Sequence, residues 1–324
     1  MADDGRRVLV TGLVAASEEF PWPADAEPRA RAEATRHAIE DCAGWTAANA
    51  RSAWTAAGLG AGDAADAGCV AGTLYGGGAV SEYVSSTLAA LGPRWLSPET
   101  YGYAAAHGGT GRVCIDLGLG GPGLMLVGRS AGLDAVGLAR RGVTLGRSPV
   151  AVCGAFDWAT PLTAVLLGDV GPGVGAGCRV AVFTVLESAR HALARGARPV
   201  GEVLAWASAM LPQPGRAGGA MARVVKSAVA ESGVPPADIR WWLATPSGPA
   251  VAAARAVAGQ LGMAVSLVGE PPGCPSPAVA PLFDLRSQLE RPQRRALAGE
   301  PYPASLLTSL ADRFSALVRR PLAP

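Results

Sequence analysis

Few residues of this 324-residue chain are equipped for chemistry. It has three histidines (His37, His107 and His191), six cysteines and, among 28 basic side chains, a single lysine, Lys226. A nucleophile needs a neighbour that takes its proton or surroundings that lower its pKa. The stretch after Gly121-Pro122 offers such surroundings. There an apolar run, Leu124–Val127, ends in Gly128-Arg129-Ser130-Ala131-Gly132-Leu133-Asp134-Ala135, and helical periodicity begins at once. The small residues permit a sharp strand-to-helix turn, which presents one side chain at the positive end of a helix dipole. A cysteine placed there would be held as thiolate. The residue at this turn is Ser130, whose hydroxyl is inert without a base. The cysteines form no CxxC pair, and with three histidines the spacings give neither a zinc site nor a disulfide framework. No metal and no cofactor are expected.

Elements that position this turn can be read from hydrophobic periodicity. Val8–Gly12 reads as a short buried strand, followed by a proline- and acid-rich loop through Glu27 and a helix from Arg29 to Ala57. Gly68–Thr73 reads as a strand running into the glycine turn Gly76-Gly77-Gly78, and Ser81–Leu91 as a helix. Arg112–Ile115, Leu124–Val127 and Pro149–Ala155 read as strands around a helix at Ala131–Arg141. The glycine-rich segment Gly168–Gly177 is the best boundary. Beyond it the pattern restarts, with strands at Cys178–Glu187, Gly201–Met210, Ile239–Ala244, Ala264–Val268 and Ser315–Arg319. Helices fall at Ala189–Arg195, Gly219–Ser232, Pro249–Leu261 and Ser276–Gln288. Two such passes imply two α/β halves, residues 1–170 and 171–324, with mainly parallel sheets.

Composition narrows the function classes. A net charge of +2 lacks the dense basic face of a nucleic-acid binder. No leader pattern and no apolar run long enough to span a bilayer occur, so a membrane role is not expected and a reducing cytoplasm is. With 49% hydrophobic and 17% charged residues, much of the surface is apolar or covered, which favours an obligate oligomer. Val10-Thr11-Gly12 is similar to the start of a dinucleotide-binding turn, but no GxGxxG follows.

The run from Val70 to Asp157 resembles the ketosynthase (condensing-enzyme) family. The resemblance rests on a strand entering Gly72-Thr73, glycines at 76–78, Ser97-Pro98, Gly121-Pro122, the small-residue elbow, and Gly146-Arg147 before Ala151-Val152-Cys153-Gly154. Leu186-Glu187 and Arg195-Gly196-Ala197 extend it. It implies a thiolase-like α/β fold of layered α-β-α-β-α architecture. The family's catalytic cysteine stands eight residues after the Gly-Pro proline, at Ser130 here. Its two histidines and its lysine match Thr245, Cys274 and Gly269, which cannot hold a thioester oxyanion or help a decarboxylation. On this resemblance the catalytic set is degenerate at all four positions.

The residues flanking Ser130 resemble chain length factors, the partner subunits of type II polyketide ketosynthases, more than catalytic subunits, although those carry glutamine at the elbow. The implied role is a non-catalytic heterodimer partner that completes the acyl tunnel of a catalytic ketosynthase and limits malonyl extension. Acyl carrier protein would be met through the complex. The stretch Tyr101, Gly102, Tyr103, Ala104, Ala105, Ala106, His107 and Gly108, with Met125 and Arg129, matches the tunnel and interface region. Its small residues imply a roomy tunnel, of polyene or highly reducing type, or a helix packed closely on its neighbours. Two alternatives stay open: an acyltransferase using Ser130, and a scaffold that binds an acyl group or carrier protein.

Overall fold

The computed structural model describes residues 6–20, 22–23, 26–160, 163, 177–210, 217–244, 248–268, 276, 279, 282, 304–310 and 313–321. The chain opens with strand β1 (Val8–Phe20) and the long helix α1 (Pro28–Ala56), then β2 (Gly68–Thr73), α2 (Gly78–Leu91), α3 (Pro98–Tyr101) and α4 (Gly108–Leu117). Next come β3 (Gly123–Val127), α5 (Ala131–Thr144), β4 (Val150–Ala159), β5 (Gly177–Ser188) and α6 (Ala189–Ala194). The remainder is β6 (Gly201–Met210), α7 (Ala217–Ser232), β7 (Ile239–Ala244), α8 (Gly248–Leu261), β8 (Ala264–Val268), β9 (Ala304–Leu310) and β10 (Arg313–Pro321). None of the helices among the described residues is long and apolar enough to cross a membrane.

Among the described residues ten strands hydrogen-bond in the order β3-β2-β4-β5-β1-β6-β10-β9-β7-β8. The order is a palindrome about the β1–β6 seam: a first set of five is followed by a second set of the same pattern, reversed. The seam itself is short, pairing Leu9 with Glu202 and Val10 with Gly201. Helix α5 touches β2 and β4 on one side and β6 and β10 on the other, so it lies between the two sets. Helix α1 covers the outer face of the first set, and α7 that of the second. The layers therefore run α-β-α-β-α, the thiolase-like arrangement.

Strand β4 shows how sequence builds these layers. Every residue in it is buried, and alternate side chains enter opposite cores. Ala151, Cys153, Ala155 and Ala159 face the core around α5. Val150, Val152, Phe156 and Trp158 face the core around α1. Small residues on the α5 side let that helix approach closely, while large ones fill the space beneath α1. Burying a side chain such as Phe156 contributes roughly 1.5–3 kcal/mol.

Several expectations change. The sheet is mixed rather than mainly parallel, because β5 and β10 run antiparallel to their neighbours. Arg112–Ile115 is not a strand but part of α4. Val113 and Leu117 face α1 at helical spacing, Arg112 pairs with Asp116 one turn on at 2.8 Å, and Gly118 closes the helix at φ 68°. The β-branched run imitated a strand. β1 continues through the acidic stretch to Phe20, because it pairs with β5 along its whole length. There Arg179 takes up Glu18 at 3.1 Å and Asp41 at 2.5 Å. β9 was not expected at all. The expected helix at Ser276–Gln288 lies mostly outside the described residues. The buried Ser276, Val279 and Leu282 are the described part of it, and the two apolar residues pack in the core around α5.

The central position of α5 depends on two close approaches. A Cβ at Gly137 would overlap the indole of Trp206 on β6, and one at Gly72 would meet the Ala131 carbonyl oxygen at 2.5 Å. Gly137→Ala is expected to lower stability by roughly 1–3 kcal/mol through overpacking, measured as a fall in the chemical denaturation midpoint. An unchanged midpoint would show that Trp206 is free to move aside.

Candidate functional site

The elbow forms because β3 must turn into α5 within three residues. Gly128 adopts φ 145°, open to glycine, while its N–H donates to the Thr73 carbonyl at 2.9 Å. Ser130 follows at the N-cap position but does not cap: its hydroxyl makes no bond to the first helical N–H groups. It is 4% exposed and donates to Asp134 Oδ2 at 3.0 Å, one turn along α5.

Asp134 is the centre of a small polar network. Its Oδ1 accepts from Ser315 Oγ on β10 at 2.6 Å and from Trp206 Nε1 on β6 at 3.3 Å. The expectation that Ser130 has no nearby base is thereby corrected, since a carboxylate is within hydrogen-bond reach. That carboxylate is held in place through its other oxygen, which accepts from Ser315 and Trp206.

None of the three imidazoles bonds Ser130. His37 lies beside Arg36 on the exposed side of α1, with the two side chains 2.9 Å apart. His191 Nδ1 meets Glu187 at 2.7 Å. His107 stands exposed before α4. The lone lysine, Lys226, is exposed on α7, in the outer layer. Thr245, Gly269 and Cys274 lie outside the described residues.

A second buried carboxylate fixes the turn beside the elbow. Asp157 Oδ1 accepts from Thr73 Oγ1 at 2.5 Å, Leu74 N at 2.8 Å and Tyr75 N at 2.9 Å. Ser276 donates to its other oxygen. Burial pushes the carboxyl up from 3.8 to about 6, against the pull of these four donors. Neither aspartate was singled out from sequence. The signals were present: Asp134 is four residues from Ser130, on the same helix face, and Asp157 is the one acid in an apolar strand.

The expected tunnel segment divides in two. Ala104 packs against the glycine turn, where a Cβ on Gly77 would overlap its backbone, and a Cβ on Gly108 would come within 2.7 Å of Tyr103 Cα. Smallness there serves close packing. Tyr101, Gly102, Ala105 and His107 are exposed, while Tyr103 and Ala106 are half-buried. Met125 Sδ accepts from Thr110 Oγ1 at 2.9 Å, and Arg129 is half-buried beside Ser130. Cys178, at the head of β5, is disulfide-bonded, which departs from the expectation of unpaired thiols.

Alongside this site runs an open edge. Among the described residues β3 bonds only β2 and ends the sheet, and its residues Gly-Leu-Met-Leu-Val carry no charge. Val127 is 63% exposed, and Ile115 on the adjoining α4 is 79% exposed.

A sequence model of the beta-ketoacyl synthase N-terminal domain matches residues 19–203, more than half of the chain and the whole elbow. The chain belongs to the beta-ketoacyl synthase family. No curated protein matches it. Among solved structures, the chain is similar to one in the AntDE:AntF complex, a type II PKS acyl-carrier protein with its ketosynthase bound to the hexaketide. That likeness has 17% identity and a TM-score of 0.74, covering 98% of this chain and 100% of that one. It is likewise similar to the ishigamide ketosynthase/chain length factor (16%, TM-score 0.68, 98% and 100% covered). A beta-ketoacyl synthase from Burkholderia phymatum STM815 gives 16% and a TM-score of 0.65, again covering 98% and 100%. These likenesses establish the ketosynthase fold.

Asp157 gives this family member a pH signature. A carboxyl whose folded pKa exceeds its unfolded value adds stability that is complete below about pH 4 and is lost as pH rises through about 6. Asp157→Asn keeps an acceptor for Thr73, Leu74 and Tyr75 and removes the titration. The wild-type chain should lose on the order of 3 kcal/mol relative to this variant between pH 4 and 7, read from denaturation midpoints. Parallel pH profiles for the two proteins would refute the assignment.

Proposed function

We propose that the chain is the chain-length-factor half of a ketosynthase heterodimer in type II polyketide biosynthesis. It shapes the acyl tunnel and limits the number of malonyl extensions. The cysteine and histidines of decarboxylative condensation on acyl-carrier-protein thioesters come from the partner. The observation that carries this reading is the state of the elbow: a serine stands at the nucleophile position, its hydroxyl turned into the helix towards Asp134 rather than towards an imidazole. Thr245, Gly269 and Cys274 at the positions of the other catalytic residues agree with it on sequence. So does the likeness to a ketosynthase/chain length factor.

The open, uncharged edge of β3 supports a partner on this face. An apolar edge strand left bare invites uncontrolled pairing, and a docked ketosynthase subunit removes that hazard. Tyr101, Ala105 and His107 are then available to the shared tunnel from the exposed side of the segment before α4. The predominance of alanine and glycine there fits an extended chain of polyene or highly reducing type.

One observation favours a second reading. The 3.0 Å contact between Ser130 and a carboxylate gives an acyltransferase with a serine nucleophile a candidate base. The two readings separate in one experiment on the chain co-purified with its ketosynthase. For a chain length factor, Ser130→Ala keeps turnover within about twofold, whereas Ala105→Phe shortens the products. Loss of all turnover with Ser130→Ala, or acyl transfer to Ser130 in the chain alone, would establish the acyltransferase instead. Val127→Asp places a charge in the proposed interface and is expected to weaken co-purification at least about tenfold, measured by quantitative pull-down.

A further inference from the structure

The end of α5 remote from the elbow carries a site that the reading above does not use. Where β2, β3 and β4 begin, the chain forms a half-open cavity of about 330 Å³. A second cavity, of about 480 Å³, meets it at Val143. Helix α5 has 14 residues, and at 1.5 Å per residue its two ends are about 20 Å apart. These hollows are thus separate from the space around Ser130.

The first cavity is walled mainly by aliphatic side chains, Val70, Leu124, Leu138 and Val143 among them, with Arg141 and Arg147 in the same wall. The second contributes Arg190 and His191. Among the described residues no carboxylate lines either cavity. His191 is held by Glu187 at 2.7 Å, and the Ser148 hydroxyl is engaged by the carbonyls of Asp66 and Val150, both at 2.5 Å. The final carbonyls of α5 are occupied too, since Leu145, Gly146 and Arg147 donate their N–H groups to Arg141, Val143 and Gly142. The guanidiniums of Arg141, Arg147 and Arg190 have no hydrogen bond or ion pair among the described residues. Among the described residues, therefore, two arginines without a protein partner border the aliphatic hollow and a third borders the cavity beside it.

We propose that this hollow binds a medium-chain carboxylic acid, with its hydrocarbon chain in the 330 Å³ cavity and its carboxylate between Arg141 and Arg147. The volume falls at the lower end of the roughly 300–1,000 Å³ of small-molecule sites. A planar guanidinium pair matches a carboxylate better than any neutral head group. A chain carried as a thioester has no free carboxylate, so the ligand is the free acid and not a carrier-bound intermediate. The inference does not depend on whether Ser130 is silent.

Calorimetric titration of the protein, with its partner bound where one is needed for solubility, tests it with decanoate and decanol as probes. One decanoate should bind per chain at least tenfold more tightly than decanol. Arg141→Gln with Arg147→Gln changes only exposed side chains and should bring decanoate down to the level of decanol. Ala105→Phe, in the tunnel segment, should leave decanoate binding unchanged. The proposal falls if decanoate shows no saturable binding, or if decanol binds equally well. It falls equally if Ala105→Phe, rather than the paired arginine change, removes decanoate.

Discussion

A carboxylate buried between two sheets cannot be left without donors, and Asp134 gathers its donors from three separate elements. Ser130 supplies one from the same helix, Trp206 one from β6 and Ser315 one from β10. Truncating any of these leaves part of a buried charge unpaired, which costs about 1–3 kcal/mol for a donor and more for the charge itself. Because β6 and β10 belong to the second set of strands, the network joins that set to a helix contributed by the first. The helix position is consequently specified in rotation as well as in depth. Gly72 and Gly137 remove the side chains that would otherwise hold it away.

This constraint reaches the elbow directly. The N-terminus of α5 points wherever Asp134 allows, and Gly128 absorbs the resulting backbone turn. Asp157 anchors the neighbouring turn at Thr73–Tyr75 and connects it to Ser276. Two acids thus hold the walls of a space that, elsewhere in the family, encloses a reacting nucleophile. In this chain the side chain at that position is itself part of the holding network. A hydroxyl committed to a structural acceptor contributes to the rigidity of the elbow.

Much of this was legible in the residues. The elbow at 128–135 followed from small residues between two periodic patterns, and the layered fold from the resemblance to the ketosynthase family. Strand direction was not legible, because periodicity records which face is buried and not which way a neighbour runs. Arg112–Ile115 misled because four β-branched and polar residues cannot distinguish a strand from one helical turn; the Arg112–Asp116 pairing and the glycine after Leu117 decide it. The continuation of β1 through Glu18 and Glu19 was hidden because acids usually mark loops, and here Arg179 from β5 accommodates the first of them. The roles of Asp134 and Asp157 were hidden for a related reason. A single acid in an apolar run reads as exposed until distant donors are brought to it.

The two ends of α5 differ in a way that packing alone does not explain. At the N-terminal end the polar atoms of Ser130 and Asp134 find partners, and the acid beside them, Asp157, is satisfied by backbone and hydroxyl donors. At the C-terminal end the backbone is equally well satisfied, with Gly146 in the left-handed conformation at φ 69° closing the helix, yet among the described residues the arginines beside it find no partner. Arg140, one residue from Arg141, binds the Val203 and Leu204 carbonyls and Glu231. A chain that gives one arginine three acceptors does not lack the means to pair the next. The two residues are about 100° apart around the helix: Arg140 fastens α5 to the second set of strands, and Arg141 borders the aliphatic hollow. Arg141 is exposed, so water hydrates its charge while its stem lies along apolar walls. An anion with an apolar tail is the kind of ligand that would engage both the charge and the walls at once.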